Sequence, residues 1–148
     1  MLNIEKVMIL RSVPIFSGVP NQFLADIADV LGEQEVEPGE TVIREGEKGD
    51  RLYVIVNGSF EVSRNGRALT RLGPREVFGE LAVLDPEPRA ATVTAANEGL
   101  LFSLDHEHLD DLMAGSMEIA HGFIRMLCRR IRESNERATP VAAAGEAR

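Results

Sequence analysis

The chain has 148 residues, of which 44% are hydrophobic and 27% are charged, a composition typical of one globular domain with a core. Its 16 basic and 24 acidic residues give a net charge of −8, whereas nucleic acid binding normally needs a concentrated basic surface. No apolar window approaches the roughly 18 residues of a membrane span. A single cysteine, Cys128, and an N-terminus without a secretory signal predict a cytoplasmic protein.

Two helices are predicted at the start of the chain, within residues 3–31. Pro14 and Gly18 interrupt the apolar pattern between them. Asn21 is a suitable N-cap for the second helix, whose apolar residues recur at three- and four-residue steps until Gly32.

From residue 33 to residue 104 the pattern changes to short β-forming runs separated by turn residues. The turns recur roughly every 7–12 residues, which is typical of an antiparallel sandwich or barrel rather than of alternating helix and strand. Asn65-Gly66 predicts a two-residue hairpin turn. We therefore expect a mainly β fold with flanking helices, built as a small antiparallel β-barrel. The predicted strands cover 34–37, 41–44, 52–57, 59–64, 67–72, 90–96 and 99–104.

Two further helices are predicted over residues 106–137, the first beginning at the N-cap Asp105 and ending at Gly115, the second beginning at Ser116. The second carries apolar and small residues at the spacing of a coiled-coil seam. This seam consists of Met117, Ala120, Ile124, Leu127, Ile131, Ser134 and Ala138. It predicts a homodimer through residues 117–138, with the alternative that the same stripe folds back as a lid on the barrel. We expect one domain over residues 1–137 and a disordered tail over 138–148.

Residues 77–93 interrupt the strand pattern and are the candidate binding segment. Glu80 to Leu84 has the length of about one helical turn and follows Gly79, so its unpaired N–H groups would favour an anion. Arg89 could clamp phosphate oxygens from the other side. Glu80 would repel a phosphate, but it can accept hydrogen bonds from sugar hydroxyls. A phosphate together with a hydroxylated sugar describes a nucleotide.

Two motifs carry a resemblance to a known family: Gly79-Glu80-Leu81-Ala82-Val83-Leu84 and Pro88-Arg89-Ala90-Ala91-Thr92-Val93. Together they resemble the phosphate-binding cassette of the cyclic nucleotide-binding domain family, which includes protein kinase A regulatory subunits and bacterial catabolite activators. The likeness extends over residues 11–137. It implies a jelly roll, also called a double-stranded β-helix, with a short cassette helix and a long C-terminal helix.

The resemblance also implies a role for individual residues. Glu80, with the Gly79 backbone, would hold the ribose 2′-hydroxyl, and Arg89 would pair with the phosphate. The N–H groups of Ala82 and Ala90 would complete the phosphate cradle, which Leu81 and Ala91 flank. Ser134 and Asn135 fall where the activators contact adenine. Relatives selective for cyclic GMP often carry Thr or Ser at the position of Ala90, so cyclic AMP is the expected ligand and cyclic GMP the weaker one.

The expected function is a cyclic nucleotide sensor without enzymatic activity, cofactor or metal, whose ligand repositions the C-terminal helix for an unknown protein effector. We expect no DNA-binding module after the domain and therefore no nucleic acid partner. One alternative is a ligand-free structural or oligomerisation domain in which Glu80 and Arg89 form a salt bridge. A metal-dependent barrel enzyme is disfavoured because no histidine lies between residues 33 and 104. His106 and His108 lie two positions apart on a helix and therefore face different directions.

Overall fold

The computed structural model describes residues 1–138, and residues 139–148, which hold most of the predicted tail, lie outside the described part. The helices are α1 (Asn3–Arg11), α2 (Asn21–Val30), α3 (Glu80–Leu84), α4 (His106–Gly115) and α5 (Met117–Ala138), with a 3₁₀ turn at Pro14–Phe16. The strands are β1 (Gly32–Val36), β2 (Thr41–Ile43), β3 (Arg51–Asn57), β4 (Phe60–Arg64), β5 (Arg67–Leu72), β6 (Val77–Phe78), β7 (Thr92–Ala95) and β8 (Gly99–Asp105). Over the described range, no helix combines the length and apolar character that crossing a membrane requires.

The strands form two four-stranded antiparallel sheets, with the orders β1-β8-β3-β6 and β2-β7-β4-β5. Apolar side chains from both sheets pack into one core between them. This is the double-sheet arrangement of a jelly roll, so the expected mainly β fold with flanking helices is confirmed. The residues of this core are Val36, Tyr53, Ile55, Phe60, Phe78, Val93, Ala95 and Leu101.

Strand β3 is buried on both of its faces, since every residue from Leu52 to Val56 is buried. Tyr53 and Ile55 belong to the core between the sheets. Leu52, Val54 and Val56 belong to a second core that the helices complete from outside the sheet. A strand covered on both faces has a continuous apolar run instead of an alternating one, which explains this segment of the sequence.

The structure corrects two predicted details. Asn21 is the first residue of α2 rather than its N-cap; Pro20 takes the cap position, and the Asn21 side chain accepts a hydrogen bond from Arg11 instead. Strand β6 was not predicted because its two residues are too short to show a period. The predicted cap Asp105 is confirmed, since its carboxylate accepts a hydrogen bond from the His108 N–H at 2.9 Å.

Helix α5 covers the helical side of the molecule with a stripe other than the predicted seam. Ile119, Phe123 and Met126 are buried, and the Phe123 ring packs edge-on against Phe16 with centroids 6.1 Å apart. Of the large seam residues, Leu127 is half-buried against the same core, whereas Met117, Ile124 and Ile131 are 64%, 55% and 60% exposed. The helix therefore packs on its own chain through one face and leaves these three seam residues exposed.

Gly122 is the point of closest approach between α5 and the 3₁₀ turn. A Cβ at this position would overlap the backbone carbonyl of Ile15, which cannot move without displacing the turn. We expect Gly122→Ala to lower the free energy of unfolding by about 1–3 kcal/mol, as overpacking in a core typically does. Denaturant titration followed by circular dichroism measures this change.

Gly115→Ala is the matched control, because nothing lies within 4 Å of a Cβ added at Gly115. Its stability should stay within about 0.5 kcal/mol of the wild type, as for most exposed positions. Equal stability of the two variants would show that the contact between Gly122 and Ile15 does not constrain α5.

Candidate functional site

Gly79 places the cassette helix by adopting a left-handed backbone conformation, with φ of 80°, directly before α3. Residues other than glycine rarely adopt this conformation. A Cβ here would also lie 2.9 Å from Nη1 of Arg89 and would meet the carbonyl oxygen of Arg51. The turn at Gly79 thus brings the start of α3 against Arg89.

Glu80, the first residue of α3, is only 5% exposed, although it carries a carboxylate. Its Oε1 forms an ion pair with Nη1 of Arg130, at a distance of 2.6 Å. Its Oε2 is buried and has no hydrogen-bond partner among the residues that the structure describes. A buried polar atom without a partner is unfavourable, so this oxygen is a ready acceptor for a hydroxyl donor.

Arg89 is the second buried charge of the site, at 8% exposed. Its Nη1 donates to the carbonyl oxygen of Arg51 at 3.2 Å. Burial lowers the pKa of the guanidinium from its ordinary value, while the neighbouring Tyr53 and Asp50 act in the opposite direction. An arginine remains a cation after such a shift, so the site keeps a buried positive charge for an anion.

The loop over residues 46–49 holds Arg89 in place. The Arg89 N–H donates to the Glu47 carbonyl at 2.8 Å, and the Arg89 carbonyl accepts from the Gly46 N–H at 2.8 Å. A Cβ at Gly49 would overlap the Arg89 guanidinium, so the absence of a side chain leaves room for it. Gly46 and Gly49 therefore help to position Arg89, the first through its backbone hydrogen bond and the second by leaving space for the guanidinium.

A cleft of about 200 Å³ opens beside Arg89. Its lining includes the cations Arg44, Lys48, Arg51 and Arg89 and the carboxylates Glu47 and Asp50. The excess of positive charge favours an anionic ligand over a neutral one.

The structure separates the remaining predicted site residues into two groups. Within the cassette, Ala82 is buried, Ala91 is half-buried, and Leu81 and Ala90 are exposed. Ser134 and Asn135 are exposed on α5, far along the helix from its buried stripe. The structure thus brings Gly79, Glu80 and Arg89 together, whereas the assignment of Ser134 and Asn135 to the base stays a prediction.

Arg130 is the site residue that the sequence analysis missed. It lies in the basic run Arg129-Arg130-Ile131-Arg132, which has the pattern of a solvated helix face. The predicted alternative of a Glu80–Arg89 salt bridge is corrected, since the ion pair of Glu80 is with Arg130. One signal was available: Arg130 precedes Ser134 by four residues and so shares its helix face.

The two neighbouring histidines face different partners, as their spacing predicts. Nδ1 of His108 lies 2.9 Å from Asp105, whereas His106 contacts Val83 and Asp110. Among the described residues, no three His, Cys, Asp or Glu side chains are grouped so that they could hold a metal ion.

The chain is similar in sequence and in structure to several known proteins. The chain is 38% identical over 132 residues to a CRP-like cAMP-activated global transcriptional regulator of Mycobacterium tuberculosis, covering 86% of this chain and 59% of the regulator. The N-terminal domain of a transcriptional regulator from Streptomyces coelicolor matches with a TM-score of 0.74 and 34% identity, covering 90% of this chain and 96% of that domain.

The catabolite activator protein of Thermus thermophilus matches with a TM-score of 0.76 and 28% identity, over 82% of this chain and 60% of that protein. The family model of the cyclic nucleotide-binding domain matches residues 33–116, which include both sheets and the cassette. With the buried Glu80 and Arg89 at the positions that its motif implies, the chain belongs to the cyclic nucleotide-binding domain family.

Proposed function

We propose that residues 1–137 form a cytoplasmic sensor that binds a cyclic nucleotide, cyclic AMP in preference to cyclic GMP, and acts on a protein effector without catalysis. The observation that carries the proposal is the buried carboxylate of Glu80, whose Oε2 has no partner among the described residues, close to the buried cation of Arg89. A ligand with a hydroxyl and a phosphate supplies the missing partner to each.

In this proposal each part of the cassette recognises one part of the ligand. Glu80 accepts the ribose 2′-hydroxyl through Oε2, and Arg89 pairs with the phosphate. The N–H groups of Ala82 and Ala90 donate to phosphate oxygens, and the neighbouring Leu81 and Ala91 line the cradle. Because groups of the chain itself make all of these contacts, the proposed binding mode involves no cofactor or metal.

The preference for cyclic AMP rests on Ala90 and on α5. Ala90 has no hydroxyl with which to accept a hydrogen bond from the guanine amino group. Ser134 lies one helical turn beyond Arg130, which reaches Glu80, so Ser134 and Asn135 follow the residue that links α5 to the cassette. These two side chains would contact the adenine of a ligand held by the cassette.

In the proposed mechanism, the ion pair between Glu80 and Arg130 couples ligand binding to the position of α5. One carboxylate serves both α5, through Oε1, and the ligand, through Oε2. The ligand therefore changes the electrostatic environment of Arg130 and favours one position of α5 over another. A ligand shifts such an equilibrium only by its difference in affinity for the two positions.

The same ion pair supports a second candidate, a ligand-free structural or oligomerisation domain. Arg130 neutralises the buried carboxylate from within the chain, so the fold does not need a ligand for that purpose. The unpaired Oε2 argues against this candidate. Titration calorimetry with cyclic AMP and cyclic GMP distinguishes the two, because the structural domain releases no heat of binding.

Removal of the Arg89 guanidinium tests the phosphate site. We expect Arg89→Ala to weaken cyclic AMP binding by roughly 30-fold to several thousand-fold, because loss of one partner from a buried charged pair costs about 2–5 kcal/mol. Arg71→Ala is the matched control, since the Arg71 side chain is 63% exposed on β5. Calorimetry that gives the two variants the same affinity would refute the role of Arg89.

Removal of the ligand hydroxyl tests Glu80. We expect 2′-deoxy cyclic AMP to bind the wild type about 10- to 100-fold more weakly than cyclic AMP, which is the value of a hydrogen bond to a charged group. In Glu80→Ala the two ligands should bind almost equally, because the acceptor is absent. A wild type that does not distinguish the two ligands would contradict the assignment of Oε2.

The exposed side chains of Met117, Ile124 and Ile131 on α5 support a homodimer through residues 117–138. Ile124→Glu and Ile131→Glu would place charges in an apolar interface and should convert a dimer to a monomer while the circular dichroism spectrum is retained. His121→Glu is the matched control, since His121 is exposed on α5 and lies outside the seam. Light scattering that finds a monomeric wild type at high concentration, with and without cyclic AMP, would reject the dimer.

A further inference from the structure

His106 joins three elements of the structure at one point. Its Nδ1 lies 2.6 Å from the carbonyl oxygen of Val83, in the cassette helix α3. Its Nε2 lies 3.2 Å from Oδ2 of Asp110, in α4. Its backbone N–H donates to the carbonyl of Asp50, just before β3, at 2.8 Å. The imidazole thus bridges the cassette and the helix that leads into α5.

The two partners of the imidazole make this bridge depend on protonation. A carbonyl oxygen and an ionised carboxylate are both acceptors and cannot donate. A neutral imidazole carries one N–H and can satisfy only one of them, whereas the imidazolium carries two and satisfies both. The carbonyl of Val83 lies at the end of α3, where carbonyls have no partner within the helix, so it gains from an external donor.

The charges around His106 are mostly negative. Asp110 contacts it from α4, and the adjacent Glu107 and the more distant Asp50, just before β3, add negative charge nearby. Asp50 is itself 3.6 Å from Arg51. The hydrogen bond to the Val83 carbonyl raises the pKa of His106 above its ordinary value, with the three carboxylates acting in the same direction and burial opposing them. These carboxylates and the Val83 carbonyl therefore favour the imidazolium form of His106 over the neutral imidazole.

We infer that His106 is a positioning residue for the cassette, whose imidazolium form ties α3 to α4 and strengthens the binding of a cyclic nucleotide. The inference rests on the function proposed above for the cassette. It assigns to His106 a role through Val83 and α3, with no contact to the ligand.

The direction of the pH dependence follows from linkage. If binding holds α3 more firmly against α4, the imidazolium is favoured in the complex, and protonation must raise the affinity by the same factor. The gain is fully present below the pKa that His106 has in the free protein, and it is lost as the pH rises through the higher pKa of the complex. Affinity should therefore decrease from mildly acidic to mildly alkaline pH.

Calorimetric titration of the full chain with cyclic AMP, from about pH 5.5 to about pH 8.5, tests this inference. We expect the affinity of the wild type to decrease roughly fivefold over this range, which is the scale of one charge-assisted hydrogen bond between partly hydrated groups. In His106→Asn an amide N–H takes the place of Nδ1–H and does not titrate, so the pH dependence should disappear. His121→Gln, on the exposed face of α5, should keep the pH dependence of the wild type.

Nuclear magnetic resonance of the wild type provides a second measurement that needs no variant at His106. The pKa of the His106 imidazole should be higher with saturating cyclic AMP than without it, and equal values would overturn the inference. A pH dependence that His106→Asn retains would also overturn it, while leaving the cyclic nucleotide site intact. No binding at any pH would instead overturn the proposed function and this inference with it.

Discussion

The carboxylate of Glu80 is buried at the junction of the cassette with α5, and much of the local structure is arranged around it. Burial of an isolated carboxylate is strongly unfavourable, so the charge needs partners within the fold. Arg130 comes from a helix 50 positions further along the chain and satisfies only one oxygen. The remaining oxygen, Oε2, is free to accept one hydrogen bond from a ligand.

Two glycines near this carboxylate occupy positions where a side chain would clash with the site. Gly79 turns the chain in the left-handed region and keeps clear of the Arg51 carbonyl, and Gly49 leaves the space that the Arg89 guanidinium fills. Both charged side chains are thus fixed by backbone features on neighbouring loops. A site of this kind is positioned before its ligand arrives, which lowers the ordering cost of binding.

Much of this arrangement could be predicted from the sequence because its signals are local. The turns delimit most strands, and Gly79, Glu80 and Arg89 lie within 11 consecutive residues whose chemistry is complementary. Arg130 lies outside this segment, and its pairing with Glu80 leaves no periodic signal; only its place on the helix face of Ser134 pointed to it. Strand β6 has two residues, too few for an alternation, and the side chain of Asn21 is taken by Arg11, a tertiary contact that overrides its capping preference.

Helix α5 is held by its own chain near Gly122, in its N-terminal half, so a tilt about this contact would displace its C-terminal half most. The buried side chains of this helix lie at Ile119, Phe123 and Met126, whereas residues 128–136 are all exposed. At about 1.5 Å per residue, Arg130 lies about 12 Å beyond the pivot, so a tilt of about 10° there would move it by about 2 Å. That displacement is enough to break its bond to Glu80, and the far end of the helix would move about twice as far. In the function proposed above, the movement that a ligand causes in α5 would therefore grow with distance from Gly122 along the helix.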